Sequence, residues 1–584
     1  MSDFFNNYNP FFVVPHDEMD SYPEVDQLPL YISFIWNFHQ PLYKDVKTNI
    51  FELPWVRLQA VKSYYPMASF LKDYNYIKGT FNLTPSLIDQ LKDYQDGMRD
   101  RHFLISEKPA SQLTETNKNF IIQNFFINPK FAKIGTEPAF EHLRNLEDRA
   151  KSASGELSTS DWADIQLLHN LAWIHPALRE DNTVLRNLAN QPGGYTAEEK
   201  KYVLDFHIRT VTGVIKIFKE IQDAGKAEII TTPYYHPILP LIVDNYVARR
   251  VSNKIPLPGK HYKFPDDAKY HLEKARMHYN RLFEKEIIGL WPPELAVSRE
   301  IIPIVARERF KWMVANETNL EKTLQMSLRS GEERKPPEQG SLIYVPGTTP
   351  EELAFPHYLY QPYRVKSQNC TVVIFFRDQS ISDNIGIYYS SMDGKEAAGH
   401  LLNRLLEVWS QLRERRLPYV VTIALDGDNC WENYTDDSRT FLRTLYDNLD
   451  KNPNLETTTP QDFLSQFGAR HTLPDLATGS WNTGSLNRWI GTPAKNKAWD
   501  YLYRVRKDLE KFSREIKDRE LLKSAWEALY TAQGSDYIWW LDSTPNELAS
   551  PFDDLLRLHL SNIYSKLGKE IPEFLNEPLL NNSN

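Results

Sequence analysis

The stretch Glu286-Ile-Ile-Gly-Leu-Trp-Pro-Pro-Glu294-Leu-Ala-Val-Ser298 has the form of a short strand that stops at a tryptophan, two prolines and one carboxylate. The two prolines restrict the backbone after the strand, so the turn that carries Glu294 is stiff. An acid at this point would also suit the first turn of a helix, where the helix dipole favours negative charge. Glu294 becomes a candidate catalytic residue only if a second acid occupies a comparable position at the end of another strand.

Such an acid follows a second strand far downstream, Tyr419-Val-Val-Thr-Ile-Ala-Leu425, which runs into Asp426-Gly-Asp428-Asn-Cys-Trp431-Glu432. Retaining cleavage of a sugar bond needs a carboxylate nucleophile and a protonated acid about 5 to 5.5 Å apart. Two strand ends on one rim of a sheet can supply that pair. We therefore interpret Glu294 and Asp426 as candidate catalytic residues. Asp428 competes for the role of the acid, and an Asp-Gly turn is the structural alternative.

Seven apolar or β-branched runs recur along the chain, and each ends in a polar or aromatic cluster. They lie at 31–38, 76–81, 227–231, 286–290, 312–315, 371–376 and 419–425, with amphipathic helical candidates between them. Alternating strands and helices predict a parallel α/β sheet with right-handed crossovers. Polar residues at the end of every strand favour a closed (β/α) barrel with its chemistry on one rim. An open doubly wound sheet would show the same alternation.

The spacing of these runs predicts three parts. Residues 1–28 are a polar, proline-bearing lead-in, and residues 29–468 form the barrel with insertions near 100–200 and 325–360. From His471 onward we predict helices but no strand, so residues 469–584 are expected to form a C-terminal α-helical bundle.

Composition excludes several classes of protein. A net charge of −9 and a pI near 6.0 argue against a binder of nucleic acid or of acidic membranes. No run approaches the roughly 18 apolar residues of a membrane span, and we find no signal-peptide pattern. With 2 cysteines a disulfide framework is excluded, so we expect a cytoplasmic protein. The aromatic fraction of 13% suits a carbohydrate binder, and the sequence does not indicate the oligomeric state.

Two histidines, His39 and His236, follow strands and lie close to prolines. Each could donate a hydrogen bond to a sugar hydroxyl. No His-x-x-x-His or Cys-x-x-Cys spacing accompanies them, so we expect no metal. The sequence also lacks a glycine-rich phosphate loop and a Gly-x-Ser-x-Gly elbow, and no cofactor is expected.

Five motifs in order resemble glycoside hydrolase family 57, in its amylopullulanase-like or α-amylase-like branch, over nearly the whole chain. They are Trp36-Asn-Phe-His39-Gln40-Pro41, Thr231-Thr-Pro-Tyr-Tyr-His236-Pro-Ile-Leu-Pro240, Gly289-Leu-Trp-Pro-Pro-Glu294, Leu425-Asp426-Gly-Asp-Asn-Cys-Trp431-Glu432 and Gly534-Ser-Asp536-Tyr-Ile-Trp539-Trp540. A single motif of this kind would be weak evidence for the family, whereas five motifs in the family's order are specific evidence.

The resemblance implies an incomplete seven-stranded (β/α) barrel followed by a helical domain. It implies a retaining α-glucan hydrolase that cleaves α-1,4 bonds, with α-1,6 cleavage left open, in which Glu294 is the nucleophile and Asp426 the general acid/base. The candidate substrate-binding residues are Trp36, His39, His236, Trp291, Asp428, Trp431, Asp536 and Trp539.

This chain departs from the family pattern at six positions. Asp428 and Gln533 each replace an expected glutamate, Gln59 an expected histidine and the pair Ala315-Asn316 an expected Ser-Asp, and Gln379 follows Arg377-Asp378. The departures leave linkage preference open, together with the choice between hydrolysis and transfer. A 4-α-glucanotransferase acting on maltooligosaccharides or glycogen is the nearest alternative. A non-catalytic glucan-binding protein and a metal-dependent mannosidase or deacetylase on a related barrel are more distant ones.

Overall fold

The computed structural model describes residues 28–45, 48–126, 137–152, 156–329, 356–542 and 544–580. Almost all of the predicted lead-in at 1–28 and most of the predicted insertion at 325–360 lie outside these ranges. The remaining predictions can be compared with the structure directly.

Seven parallel strands form a nearly closed barrel, and neighbours in space are neighbours along the chain. They are β1 (Leu30–Phe38), β2 (Gly79–Leu83), β3 (Ala227–Ile230), β4 (Gly289–Leu290), β5 (Trp312–Asn316), β6 (Cys370–Arg377) and β7 (Val420–Asp426). Parallel ladders join β7 to β1, β1 to β2, β2 to β3, β4 to β5 and β5 to β6. Only a bridge between Thr231 and Leu290 joins β3 to β4, and one pair, Thr422 with Arg377, joins β6 to β7. The predicted incomplete seven-stranded barrel is confirmed.

The pleat of β1 decides which of its side chains face the barrel interior. Tyr31 and Ile35 belong to the cluster that fills the barrel, whereas Trp36 and Phe38 pack in the larger core outside it. Because side chains alternate along a strand, Asn37 shares the inner face with Tyr31 and Ile35. The asparagine, and not the adjacent tryptophan, is therefore directed toward the barrel axis.

Shorter strands lie beside the barrel. Tyr363–Ser367 runs antiparallel to β6, His471–Leu473 pairs with Tyr363–Ser367, and Leu455–Thr457 lies beside the start of β1. Lys44–Asp45 and Ile50–Phe51 form a separate two-stranded sheet. The strand at His471–Leu473 corrects the prediction of no strand from His471 onward, since three residues are too few to show a period of two.

Helices surround the barrel and fill the long connection between β2 and β3. The α-helices are Trp55–Gln59, Tyr65–Lys72, Pro85–Gln95, Arg101–Glu107, Glu115–Asn124, Pro138–Lys151, Thr159–Trp173, Pro176–Asp181, Thr183–Ala189, Ala197–Asp223, Leu239–Val243, Ala248–Val251, Pro265–Phe283, Ile302–Arg307, Glu317–Arg329, Pro356–Leu359, Gln379–Gly386, Gly394–Leu412, Arg439–Leu449, Pro460–Phe467, Pro493–Glu515, Arg519–Ala532, Asp536–Trp539 and Asn546–Lys566. A π-helical turn, Ala60–Tyr64, links the first two.

The insertion between β2 and β3 has a hydrophobic core of its own, which includes Phe140, Ile165 and Leu168. The long helix Ala197–Asp223 begins with a capping box formed by Thr196 and Glu199, and its other end leads into β3. The predicted insertion is therefore a packed helical layer.

The C-terminal region is helical, as predicted. Pro493–Glu515, Arg519–Ala532 and Asn546–Lys566 pack on one another through Leu502, Leu529 and Leu560, and these side chains belong to the same core as the barrel's outer layer. Across the described residues, no helix has the length and hydropathy that crossing a bilayer requires.

Candidate active site

The predicted site residues meet at the C-terminal ends of the barrel strands. Glu294 follows β4, Asp426 ends β7, and His39 and His236 follow β1 and β3. The C-terminal region adds Trp481 and Asp536, which bond to Glu294 and His39. The site is therefore built from residues as far apart in sequence as His39 and Asp536.

Glu294 sits in a strained turn. Its backbone adopts φ 57° and ψ 23°, in the left-handed region, and Leu295 follows with φ 49°. The N–H of Leu295 donates to the carbonyl of Pro292 at 2.8 Å, and the N–H of Trp481 donates to the carbonyl of Glu294 at 3.1 Å. Strain of this kind costs about 1 to 3 kcal/mol and clusters at functional sites.

The indole of Trp481 fixes the Glu294 carboxylate, since its Nε1 donates to Oε2 at 2.8 Å. The Arg377 guanidinium carbon lies 5.2 Å from the centre of the Trp481 ring. Arg377 Nε donates to Asn316 Oδ1 at 2.9 Å, and Nη1 donates to the carbonyl of Ala424 at 2.8 Å. The orientation of Glu294 is thus tied to the ends of β5, β6 and β7.

Asp426 is held by a chain of amides on neighbouring strands. Asn37 Nδ2 donates to Asp426 Oδ1 at 2.7 Å, and Asn82 Nδ2 donates to Asn37 Oδ1 at 2.6 Å. Asn37 and Asp426 are directly paired in the ladder between β1 and β7, and Asn37 is likewise paired with Asn82 in the ladder between β1 and β2. Three adjacent strand ends therefore orient one carboxylate.

Burial and mutual charge make the carboxyl groups retain protons. Burial raises the pKa of Glu294 to about 8, with a further contribution from the negative charge of Asp426, while the Trp481 hydrogen bond opposes the shift. Burial also raises the pKa of Asp426, against the hydrogen bond from Asn37. The negative charge of Asp426 favours a proton on Glu294, so the pair retains a proton near neutral pH.

Asp428 lies beside this pair but is turned into the protein. Its Oδ2 accepts from Gln40 Nε2 at 3.1 Å and from the Tyr64 hydroxyl at 3.2 Å, and its Oδ1 accepts from the N–H of Asn429 at 3.0 Å. Burial and Asp426 raise the pKa of Asp428 to about 7. Both oxygens of Asp428 are bonded to protein groups, so we interpret Asp428 as a residue that adds negative charge beside Asp426 and not as a direct ligand of the substrate.

His39, His236 and Asp536 form a stacked charged group. The two imidazole centroids lie 3.6 Å apart with planes 14° from parallel, and His39 Nε2 lies 2.8 Å from Asp536 Oδ2. Burial lowers the pKa of His39, but Asp536 outweighs burial and leaves that pKa above its usual value. Burial and the charge of His39 lower the pKa of His236. We infer an imidazolium on His39 and a neutral ring on His236.

Thr84 shows how the site overrides local preference. Thr84 occupies the N-cap position of the helix Pro85–Gln95, a position that threonine favours, yet it makes no side-chain cap bond. Its hydroxyl donates to the carbonyl of Phe38 at 2.8 Å and lies 3.1 Å from His39 Nδ1. With the Thr84 proton committed to Phe38, the threonine oxygen accepts the Nδ1–H of His39, which leaves Nε2 for Asp536.

One nitrogen or oxygen atom from each of His39, His236 and Asp536 lies within 4.8 Å of the others, a spacing that a metal ion could use. The stacking disfavours it, because lone pairs lie in the ring planes and those of stacked imidazoles do not converge on one ion. Ser535 also occupies His236 Nδ1 at 2.9 Å. His236 Nε2 is buried with no hydrogen-bond partner among the described residues, which leaves one nitrogen for a substrate hydroxyl.

Three of the tryptophans assigned to the substrate are at most 1% exposed: Trp36, Trp291 and Trp431. Trp36 and Trp431 pack together outside the barrel at 5.4 Å, and Trp291 packs edge-on against Trp481 at 5.5 Å. Because these three indole rings are buried, they have no exposed face on which a sugar could stack. They pack instead behind the residues of the site. Trp539 is partly exposed and stacks with the Arg488 guanidinium at 5.1 Å.

The sequence profile of glycosyl hydrolase family 57 matches residues 33–475, which is more than half of the chain. The chain belongs to glycosyl hydrolase family 57. The resemblance stated from the motifs is therefore confirmed, and this is a family of glycoside-active enzymes. No curated protein sequence matches this family 57 chain.

Solved structures of two branching enzymes and an α-amylase share the fold. A branching enzyme from Thermococcus kodakaraensis aligns with a TM-score of 0.56 at 15% identity, over 94% of both chains. The α-amylase AmyC of Thermotoga maritima gives 0.55 at 14%, over 94% of this chain and 96% of its own. A family 57 branching enzyme from Pyrococcus horikoshii gives 0.55 at 14%, over 95% and 98%. At these identities the likeness establishes the barrel and its helical C-terminal region.

Two residues of this family 57 site, Asn37 and Trp481, were not among the site residues predicted from the sequence, although Trp481 is one of the loop tryptophans expected either to pack on the barrel or to reach its site. Asn37 lay inside a quoted motif, and strand alternation would have directed it, and not Trp36, toward Asp426. Trp481 lies on a loop with no periodic signal, so only its proximity to Glu294 in the folded chain reveals it.

Proposed function

We propose that this protein is a retaining α-glucan hydrolase that cleaves α-1,4 glucosidic bonds, with Glu294 as nucleophile and Asp426 as general acid/base. The observation that carries the proposal is the convergence, at the strand ends, of two partly buried carboxyl groups with raised pKa values, each with its own donor, Trp481 and Asn37. One protonated and one ionised carboxyl group is what the reaction requires.

In the first step the Glu294 carboxylate attacks the anomeric carbon while Asp426 gives its proton to the leaving glycosidic oxygen. The bond to the aglycone breaks and a covalent glucosyl-enzyme forms. Loss of the Glu294 charge then lowers the proton affinity of Asp426, because a like charge had raised it. Asp426 next takes a proton from water, whose oxygen attacks the same carbon and releases Glu294.

We assign His39, His236, Asp536 and Trp539 to substrate binding. The first three form one stacked group with a free imidazole nitrogen, and Trp539 has exposed ring surface. Residues 29–468 then carry the two carboxylates, and 469–584 complete the pocket through Trp481 and Asp536. The substrate is an α-glucan, and we expect a cytoplasmic enzyme that binds neither nucleic acid nor membranes.

The test is product analysis with soluble starch, pullulan and maltoheptaose, run on the wild type and on Glu294→Gln and Asp426→Asn. We expect new reducing ends from starch in the wild type and a loss of at least about 1,000-fold in both variants. Longer maltooligosaccharides would instead indicate a 4-α-glucanotransferase, and new α-1,6 links would indicate branching. Cleavage of pullulan reports on α-1,6 bonds. Wild-type protein that binds amylopectin without cleaving it would overturn the proposal.

A further inference from the structure

Gln533 lies where the C-terminal helices meet the site. It follows the helix Arg519–Ala532, is 2% exposed, and stands three residues before Asp536. Ser535, between them, is bonded twice to His236: its N–H donates to the carbonyl of His236 at 3.0 Å, and its hydroxyl lies 2.9 Å from Nδ1. The position of the segment 533–536 therefore decides where Asp536 and His236 stand relative to His39.

Every polar atom of the Gln533 amide has a buried partner. Its Nε2 donates to Asp267 Oδ2 and to the Tyr262 hydroxyl, both at 2.7 Å, and its Oε1 lies 2.8 Å from His271 Nε2. Arg506 donates to both oxygens of Asp267, from Nε and from Nη2, at 2.8 Å each. The ion pair keeps Asp267 an acceptor, so the group facing it must donate.

His271 completes the arrangement and reaches the other half of the site. Its carbonyl accepts from the N–H of Tyr234 at 3.1 Å, and its Nδ1 faces the N–H of Tyr235 at 3.4 Å. Burial lowers the pKa of His271 to about 4, so the ring is neutral with its proton on Nε2, directed at Gln533. The same histidine thus positions the residues before His236 and, through Gln533, those before Asp536.

We propose that Gln533 is a positioning residue for the His39–His236–Asp536 group and that it must be an amide. Only an amide of this length donates to Asp267 and accepts from His271 at once. The glutamate that the family pattern predicts here would direct a second carboxylate at Asp267 and would have to carry a proton to make the same bonds. With glutamine the arrangement needs no proton and keeps its geometry through neutral pH.

The Gly534 backbone leaves no room for the segment to adjust. A Cβ at this position would lie 2.9 Å from the carbonyl oxygen of Tyr235, closer than such contacts occur. The chain therefore passes from Gln533 to Ser535 directly against the loop that carries His236. We therefore expect a shift at Gln533 to displace the residues that carry Asp536 and His236.

The experiment is Gln533→Glu, measured as the pH profile of kcat/KM on maltoheptaose and as thermal unfolding at pH 5 and pH 8. Gln411→Glu, on an exposed position of the helix Gly394–Leu412, is the matched control. We expect Gln533→Glu to lose roughly 10- to 100-fold in kcat/KM at pH 8 relative to the wild type. At pH 5, where the new carboxyl group is protonated, activity and the melting temperature should approach wild-type values. Gln411→Glu should follow the wild type throughout.

The kcat/KM measurement rests on the proposed function, whereas the thermal unfolding measurement does not. If the wild-type enzyme has no activity on glucans, the proposed function is wrong. The role of Gln533 is then tested by the pH dependence of thermal unfolding alone. A Gln533→Glu variant that follows the wild type at both pH values, or one that is equally impaired at both, would overturn the inference. If that variant does not fold, the exchange Asp267→Asn with Gln533→Glu decides: it restores one donor and one acceptor, and we expect it to fold and to lose the pH dependence.

Discussion

Glu294 combines three features that bear on the proposed reaction. Its backbone lies in the left-handed region at φ 57°, its side chain is partly buried, and desolvation with the charge of Asp426 raises its pKa to about 8. None of these features favours folding. A carboxyl group that is costly to ionise in this position loses that cost when it bonds to an anomeric carbon, which suits the role of nucleophile proposed for it.

Replacing Trp481 by phenylalanine removes the one side-chain donor that opposes the raised pKa of Glu294. We expect the pKa of Glu294 to rise further, so less of it is ionised at neutral pH, and the acid limb of the kcat/KM profile should move to higher pH. A hydrogen bond to a charged group contributes about 1.5 to 3 kcal/mol, which corresponds to roughly a 10- to 100-fold loss.

The matched control is Trp409→Phe, which also deletes an indole donor, here to the carbonyl of Leu28 at 3.3 Å, on an outer helix. It should leave the pH profile unchanged. If Trp481→Phe lowers the rate equally at every pH, Trp481 serves packing and does not tune the carboxylate.

The carboxylates could be located from sequence because acids at the ends of apolar strands are a local pattern. Their supporting residues could not all be located that way. The motifs drew attention to Trp36, Trp291 and Trp431, which the structure buries, whereas Asn37 was passed over although the pleat of β1 directs it to Asp426. Trp481 needed the folded chain, because no spacing rule connects it to Glu294 across 187 residues.

Among the elements, the helical insertion between β2 and β3 is joined to the barrel side by one buried ion pair. Arg57 donates to Asp100 from Nε at 2.6 Å and from Nη2 at 3.1 Å, and its Nη1 donates to Asn170 on the insertion helix Thr159–Trp173 at 2.8 Å. Both charged side chains are fully buried. The guanidinium fork thereby links three separate helical segments.

Arg57→Met should destabilise the protein by about 3 to 5 kcal/mol, because Asp100 would remain buried without its cation. Urea unfolding measures this. Arg57 lowers the pKa of Asp100, against the opposing effect of burial, so the stability that the pair contributes is present above the unfolded aspartate pKa and is lost as pH falls through the folded one. The double variant Arg57→Met with Asp100→Asn should lose less than Arg57→Met alone. An equal or larger loss in the double variant would show that the contribution comes from packing.

Seven strands and their order were predictable, because each run is apolar and ends in polar residues. Their lengths were not. The run beginning at Glu286 forms a ladder over only Gly289–Leu290, since Pro292 and Pro293 lack the N–H that pairing needs. At Gly289 a Cβ would lie 2.4 Å from the Trp312 ring, which explains why this short strand carries glycine.

In the whole molecule, a further buried acid lies near the start of β3, away from the strand ends that carry the candidate site. Glu228, on β3, accepts from Trp312 Nε1 at 3.0 Å and from the N–H of Gln461 at 2.9 Å, and burial raises its pKa to about 8. It joins β3, β5 and the helix Pro460–Phe467, which begins beside it. Its role is structural, and it makes stability depend on pH.

The direction of this pH dependence follows from the pKa of Glu228 in the unfolded chain, 4.5, and in the folded chain, about 8. Between pH 4.5 and 8 the unfolded chain releases the Glu228 proton while the folded chain keeps it, so the free energy of unfolding falls as pH rises through this window. Glu228→Gln removes that contribution. The difference in free energy of unfolding, variant minus wild type, should therefore increase from pH 5 to pH 9 by up to about 1.4 kcal/mol per pH unit within the window.

Chemical denaturation at pH 5, 7 and 9 measures this difference, with Glu520→Gln at an exposed helix start as the control for loss of a carboxylate. A difference for Glu228→Gln that stays constant across this range would contradict a raised pKa at Glu228.

The helical C-terminal region was predicted as a separate bundle, and the folded molecule shows what it contributes. Trp481 bonds to Glu294 and Asp536 bonds to His39, so a pocket on the barrel rim is completed by residues from the end of the chain. Contacts between parts so distant in sequence follow from tertiary packing and leave no periodic trace. The five ordered motifs nevertheless included Asp536, because motif comparison does not depend on spacing.

The proposed reaction requires that Glu294 become covalently bonded to the sugar. The most direct measurement is to incubate the enzyme with 5-fluoro-α-D-glucosyl fluoride, which slows the second step, and to map the modified peptide by mass spectrometry. We expect one fluoroglucosyl group per chain, on Glu294, and none in Glu294→Gln. A label on Asp426 or Asp428, or continued turnover with no labelled peptide, would contradict the assignment.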